Sequence, residues 1–286
     1  MIDTKPDTKR LFIFAAYAYN DAVIDDSKIL YIRALSELGD VVFYMDNDTP
    51  PSELKKLTPY VLYAGANRHT EYDFGSYKRG FVWARENLDL EKYDWVYLVN
   101  DSMYAPLHPI LPLLENLEHQ QIDASGIVFN KNKKKPHLQS WFLGMRPLVF
   151  MSDQFDDLIM SVQPGMGKGK IISLYEHGFT RMLIEHGARF ASVYTVSGHA
   201  VYNKIKYFFR RGFPFIKKQN FIRHHGALGG QIKYVLNRID PKLRDAIIKN
   251  AQREFGEQCI NNLLTYNPIK ILWRNIKHIL SKRMSR

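Results

Sequence analysis

The chain has 286 residues, 40 Lys and Arg against 29 Asp and Glu for a net charge of +11, 45% hydrophobic residues and one cysteine. A lone Cys259 excludes an intramolecular disulfide framework and any cysteine-built zinc cluster, and it points to a reducing compartment. The polar opening residues and the short apolar run LFIFAAYAY do not read as a secretory leader, and no stretch approaches the ~20 apolar residues of a membrane span, so a cytoplasmic protein is expected.

Apolar and β-branched runs separated by periodic helical patterns follow in order. Residues 11–16 read as a first strand, and Asp25, Asp26 and Ser27 as the cap of a helix that stops at Gly39. Strands are expected at 41–44 and 60–63, with a short helix at 52–57 between them. A helix is expected at 76–88, opened by Ser76 and burying Tyr77, Phe81, Ala84 and Leu88. Residues 95–99, a short apolar, aromatic and β-branched run, read as a strand buried inside a parallel sheet that ends in Asn100, Asp101 and Ser102. Helices at 107–119, 147–162 and 174–186 and extended segments at 124–129, 140–143 and 190–196 complete the pattern. Such alternation predicts an α/β fold with a mostly parallel sheet flanked by helices.

Four places along this frame offer chemistry. Asp101, at the carboxyl end of a buried strand, stands where open α/β sheets bind ligands, and it can hold a divalent cation against a diphosphate; the alternative is that Asn100, Asp101 and Ser102 merely cap the next helix. Tyr72, Asp73, Gly75 and Lys78 form a loop running into a helix, with Gly75 allowing close backbone approach and Asp73 available to a sugar or phosphate; the alternative is an ordinary turn. His137, Gln139 and Trp141, before a buried strand, suit sugar hydroxyls and an apolar sugar face or, equally, the wet end of a core strand. Glu176 opens a helix, where the dipole keeps a carboxylate ionised for use as a general base or simply stabilises the helix. His199 is a further candidate metal ligand. The run QPGMGKGK lacks the hydroxyl a phosphate-binding loop needs after its lysine and reads as a lid.

In order and spacing, YDFGSYKRG, YLVNDSMYAP, HLQSWFLGM and YEHGFTRMLIEHG, followed by FPFIKKQNF at 213–221, resemble the rhamnan synthesis protein F family of bacterial glycosyltransferases. That resemblance implies a GT-A-like nucleotide-sugar-binding fold and transfer of a sugar, often rhamnose from dTDP-rhamnose, to a surface polysaccharide or lipopolysaccharide. Carried onto this chain, it implies Asp101 at the metal or diphosphate with Asn100 and Ser102 beside it. Tyr72, Asp73, Gly75 and Lys78 would line the donor pocket, and His137, Gln139 and Ser140 would face donor sugar or acceptor. Glu176 would be the base of an inverting reaction. Only one carboxylate stands where GT-A enzymes usually carry an Asp-x-Asp, so the cation, Mn²⁺ or Mg²⁺, is an open expectation.

Charge divides the chain. From residue 202 to 286 there are 19 basic and 4 acidic residues, whereas the first 201 carry a net charge of −4. A catalytic domain at 1–201 and a basic, mainly helical extension at 202–286 are therefore expected. Near its end, Ile269, Leu272, Trp273, Ile276, Ile279 and Leu280 share one helical face, with Lys270, Arg274, Lys277 and Lys282 off it. A basic amphipathic helix of this kind suits an anionic membrane surface, here the inner face of the cytoplasmic membrane, where a lipid-linked glycan acceptor would be met. The alternatives are a non-catalytic nucleotide- or glycan-binding module and a nucleic-acid binder acting through the basic extension, although the body holding the ordered motifs lacks positive charge and no nucleic-acid partner is expected.

Overall fold

A computed structural model describes residues 8–132, 134–198, 200–222 and 228–265, together with Ile269, Leu272, Trp273 and Ile276. The strands are β1 Arg10–Ala16, β2 Asp40–Met45, β3 Tyr63–Ala66, β4 Trp95–Asn100, β5 Met103–Tyr104, β6 Ala124–Asn130, β7 His137–Leu138, β8 Phe142–Met145, β9 Phe190–Val196 and β10 Ile216–Lys217. The helices are α1 Asp26–Ser36, α2 Pro51–Leu54, α3 Tyr72–Asn87, α4 Leu111–Glu118, α5 Pro147–Phe150, α6 Asp153–Met160, α7 Lys168–Ile171, α8 His177–Glu185, α9 Ala200–Asn203, α10 Ile205–Phe209, α11 Leu228–Leu236, α12 Pro241–Phe255 and α13 Glu257–Leu264.

The chain folds into two compact units. The first takes in the strands of one large sheet, ordered β3-β2-β1-β4-β8-β6-β7 with β9 on β6. β3, β2, β1 and β4 are parallel, β8 runs antiparallel to both β4 and β6, and β6 pairs β9 in parallel. The expectation of a mostly parallel α/β sheet flanked by helices holds. β1 and β4 are buried along their whole length, which is why they read as unbroken apolar runs. Phe12 stacks on Tyr97 at 5.2 Å, and Tyr97 reaches Phe142 edge-on at 5.6 Å, so aromatic contacts bridge the parallel and antiparallel halves. Each such ring, fully buried, stabilises the fold by roughly 1.5–3 kcal/mol.

Several boundaries move from their sequence expectations. α3 begins at Tyr72, so Ser76 lies inside the helix and does not cap it. No helix follows Asp101 directly; a turn leads into β5, and α4 starts only at Leu111, which removes the reading of Asn100, Asp101 and Ser102 as a helix cap. The third strand sits at Tyr63–Ala66, three residues beyond its expected start. Lys168, in the stretch read as a lid, opens α7.

The second unit comprises Asp25–Leu30, Ser102–Pro109 and the chain after Gly198. β5 pairs antiparallel with β10, and Leu107, Phe209, Ile216, Phe221, Ile232, Ile247 and Ile260 belong to its own apolar core. Within that unit Lys28, 2% exposed, bonds Asp25 Oδ2 at 2.8 Å, and Lys218 approaches Glu254 Oε1 at 3.5 Å. Burial would raise the Asp25 carboxyl, but Lys28 and Lys218 outweigh it and hold Asp25 well below the usual carboxylate range. Tyr104 donates to Asn250 at 2.6 Å, fixing β5 to α12. Of the expected amphipathic face, Ile269, Leu272, Trp273 and Ile276 are helical and exposed; the rest lies outside the described residues.

Candidate active site

The carboxyl ends of β1, β2 and β4 lie side by side, and β2 and β4 each deliver polar groups there. From β4 come Asn100 and Asp101, both buried; Asn100 N–H bonds Trp141 O and Asp101 N–H bonds Ala15 O, which locks the turn onto β1 and β8. From the end of β2 comes Asp46, whose Oδ1 accepts the N–H groups of His69 and Thr70 at 2.8 and 3.0 Å. Arg68 pairs with Asp46 Oδ2 at 2.8 Å and lies over the Tyr17 ring at 5.1 Å. Asp46 thus organises the loop leading into α3, a role the sequence signals only by a carboxylate directly after a strand.

That loop is held in a costly conformation. Thr70 and Tyr72 both adopt positive φ, 61° and 57°, which side-chain-bearing residues rarely do and which clusters at functional sites. His69 anchors the loop from beneath: its Nδ1 accepts the Glu71 N–H, so Nε2 carries the proton and donates to Ser76 Oγ at 3.0 Å. Burial, joined by the nearby Arg79 and Arg68 charges, lowers His69 to about 4 against the pull of Asp46 and Glu71. Glu71 is buried and takes Arg79 at 2.5 Å.

The donor-loop residues expected from sequence separate here. Asp73, on the first turn of α3, accepts the Asn100 amide at 3.0 Å, which brings a second carboxylate to the end of β4. Tyr72 is exposed. Lys78 donates to the Val162 carbonyl at 2.6 Å and lies 3.5 Å from Glu71. Gly75 serves packing: a Cβ there would run into Glu71 Cβ and stand 2.7 Å from His69 Cε1. Ser102 belongs to the second unit, where its carbonyl accepts the Lys218 N–H. His199 lies outside the described residues.

Tyr77 links this edge to the next. Its hydroxyl donates to Ser140 O at 3.1 Å, and burial together with the Asp73 and Asp101 charges raises it well above the ordinary tyrosine range. Ser140 Oγ in turn donates to Glu176 Oε2 at 2.5 Å. Glu176 Oε1 lies 3.1 Å from His137 Nε2, while His137 Nδ1 sits 2.8 Å from the Lys135 carbonyl. Carbonyl and carboxylate both accept, so one proton is shared along the His137–Glu176 contact while Nδ1 keeps its own. Burial opposes charge on His137, but the Glu176 bond and the Lys135 carbonyl outweigh it and raise His137 above its ordinary value. His177, 4.4 Å from the His137 ring, is lowered by burial and by that neighbour. Gln139 uses its side-chain oxygen to hold Trp141 Nε1 at 2.8 Å.

Glu176 does not open a helix, as its sequence suggested. It ends a π turn, Ile172–Glu176, continuous with α7 before it and α8 after it, so a free helix N-terminus is not what sets its charge. Its carboxylate is governed by His137 and Ser140 instead. A π turn inside a helix is itself a frequent mark of function. β7 reaches this turn because Leu138 N–H bonds Thr180 Oγ1 at 2.9 Å and Asn130 pairs with His137 in the β6–β7 register.

The rhamnan synthesis protein F family matches residues 41–278. The chain belongs to that family. Among curated proteins, none matches it. Of solved structures, it is similar to one described as a putative nucleotide-diphospho-sugar transferase from Desulfovibrio desulfuricans G20, at 14% identity and TM-score 0.41 over 84% of this chain and 98% of that one. It is also similar to residues 1–349 of S. aureus TarS, at 12% identity and TM-score 0.42 over 93% of this chain and 71% of that one. Membership of the family, not these distant likenesses, supports a functional reading. Among the described residues no helix is long and apolar enough to cross a membrane.

Proposed function

We propose that this family member is a glycosyltransferase that moves a sugar, rhamnose from dTDP-rhamnose being the best match to the family, onto a lipid-linked bacterial surface polysaccharide or lipopolysaccharide. The observation that carries the reading is one hydrogen-bonded line from Asn100 and Asp73 through Tyr77 and Ser140 to Glu176. It joins the edge that carries Asp73 and, next to Asn100 in the chain, Asp101, whose carboxylates suit a diphosphate-bound cation, to a single carboxylate suited to an acceptor hydroxyl.

In this reading Glu176 takes the proton from the acceptor hydroxyl as that oxygen attacks the anomeric carbon, and the nucleotide diphosphate leaves from the opposite face, inverting the centre. His137 and Ser140 hold the two carboxylate oxygens in place, and base catalysis of this kind supplies ~10²–10⁴-fold. Asp101 and Asp73 fit a hard divalent cation, Mn²⁺ or Mg²⁺, which commonly takes one or two carboxylates and completes its shell from phosphate oxygens. Such a cation would neutralise the leaving diphosphate. Tyr17 with Arg68 across its face offers an aromatic surface and a guanidinium to the nucleotide. The exposed Ile269, Leu272, Trp273 and Ile276, among lysines and arginines in sequence, support attachment to the anionic inner face of the cytoplasmic membrane, where the acceptor would be presented.

The test is a thermal-shift screen of nucleotide diphosphates and their sugars with and without Mn²⁺ or Mg²⁺, followed by transfer assays with the donor that binds. Selective stabilisation by dTDP or its sugars supports the donor class; no shift with any nucleotide would sink the transferase reading.

A further inference from the structure

Two imidazoles and a carboxylate converge at the π turn. One ring nitrogen each of His137 and His177 and a carboxylate oxygen of Glu176 lie within 4.8 Å of one another. Two ligands on a tetrahedral ion with ~2.1 Å bonds stand ~3.4 Å apart, and His137 Nε2 and Glu176 Oε1 are already at 3.1 Å.

The surroundings are those of a built metal site. His137 Nδ1 is engaged by the Lys135 carbonyl at 2.8 Å, which fixes the ring and aims Nε2 at the centre of the group. Ser140 holds Glu176 Oε2 at 2.5 Å, leaving Oε1 facing His137. His177 Nδ1 is buried without a hydrogen-bond partner, an orphan of the kind that an ion can satisfy. The Glu176 side chain is 21% exposed, so an ion has a route in from solvent.

We infer that His137, Glu176 and His177 form a binding site for a borderline divalent transition ion of the Zn²⁺ class. The donors decide the class: two imidazole nitrogens suit Zn²⁺, Co²⁺ or Ni²⁺, while Mg²⁺ and Mn²⁺ favour the all-oxygen setting at Asp101 and Asp73. Three protein ligands leave a coordination position open for water. A bound ion would occupy the carboxylate that the transferase reading uses as base, so the site goes beyond that reading and opposes it in occupancy.

The test is titration of the full chain with Zn²⁺ alone, by calorimetry and by the visible absorption of Co²⁺, without donor or acceptor. One equivalent binds and resists excess Mg²⁺. H137A and H177A each weaken binding by more than the ~10–100-fold typical of an outer-shell change, S140A weakens it within that range, and H186A, at the far end of α8, leaves it unchanged. A single cooperative melting transition in each metal-free variant shows that it is folded, with H177Q as a substitute if H177A is not. Absence of stoichiometric binding, or binding that survives H137A and H177A or is lost in H186A, overturns the site. Because no nucleotide is present, these outcomes are independent of whether dTDP binds.

Discussion

The Asn100 side-chain amide donates to the Asp73 carboxylate at 3.0 Å, so the end of the central strand and the first turn of α3 share one polar edge although they are 27 residues apart. Asn100 is thereby the spacer between two acidic groups drawn from different elements.

Asp101→Ala and Asp73→Ala each remove the cation-dependent part of the stabilisation by dTDP, which for a ligand at 100 times its Kd is ~2.7 kcal/mol in total. Thermal shifts with and without Mn²⁺ measure it. A full metal-dependent shift in Asp101→Ala would take Asp101 out of the site.

Glu176→Gln keeps the shape of the side chain and removes its basicity. It is expected to lower kcat by ~10²–10⁴-fold while leaving donor affinity within a few-fold of wild type. Single-turnover kinetics and nucleotide binding separate the two, and near-wild-type turnover would dismiss Glu176 as the base.

Two histidines should shape stability in opposite directions with pH. Folding lowers His69 to about 4 from its ordinary 6.5, so its contribution is complete above pH 6.5 and is lost as pH falls toward 4, when protonation at Nδ1 breaks the Glu71 N–H bond. Folding raises His137, so its contribution is complete below pH 6.5 and fades as pH climbs through the raised value. Urea unfolding at a series of pH values should show His69→Gln flattening the acid side and His137→Gln the neutral side.

Gly75→Ala is expected to destabilise by ~1–3 kcal/mol, because the new methyl group would meet Glu71 and His69 inside a packed turn. Its effect on donor affinity should follow from displacement of the loop carrying Thr70 and Tyr72. A neutral change in melting temperature would show that Glu71 can swing aside.

In the second unit, Glu254→Ala removes the carboxylate shared by Lys28 at 3.9 Å and Lys218 at 3.5 Å, both nearly inaccessible to solvent, while Lys28 keeps its Asp25 bond, and should cost up to ~3–5 kcal/mol. Denaturant unfolding of the full chain measures it; a loss below ~1 kcal/mol would mean that Asp25 alone carries Lys28.

By itself the sequence determined the order of the main strands and helices up to residue 196 and the buried strand ending in Asn100, because periods of 2 and 3.6 and unbroken apolar runs are local signals of burial. It also carried the ordered motifs that place the chain in its family. Only the tertiary structure decided which of those motifs meet. His137 and Ser140 reach Glu176 because β7 and the start of β8 pack beside the π turn, and Asp73 reaches Asn100 because α3 starts four residues earlier than its cap-like Ser76 suggested. Helix-start reasoning failed at Glu176 for the same reason: continuity with α7 is set by packing, and no residue near Glu176 announces it. Asp46 and His177 carried no distinguishing spacing. Their significance arises from sheet order and a histidine on a neighbouring strand, both long-range properties of the folded chain.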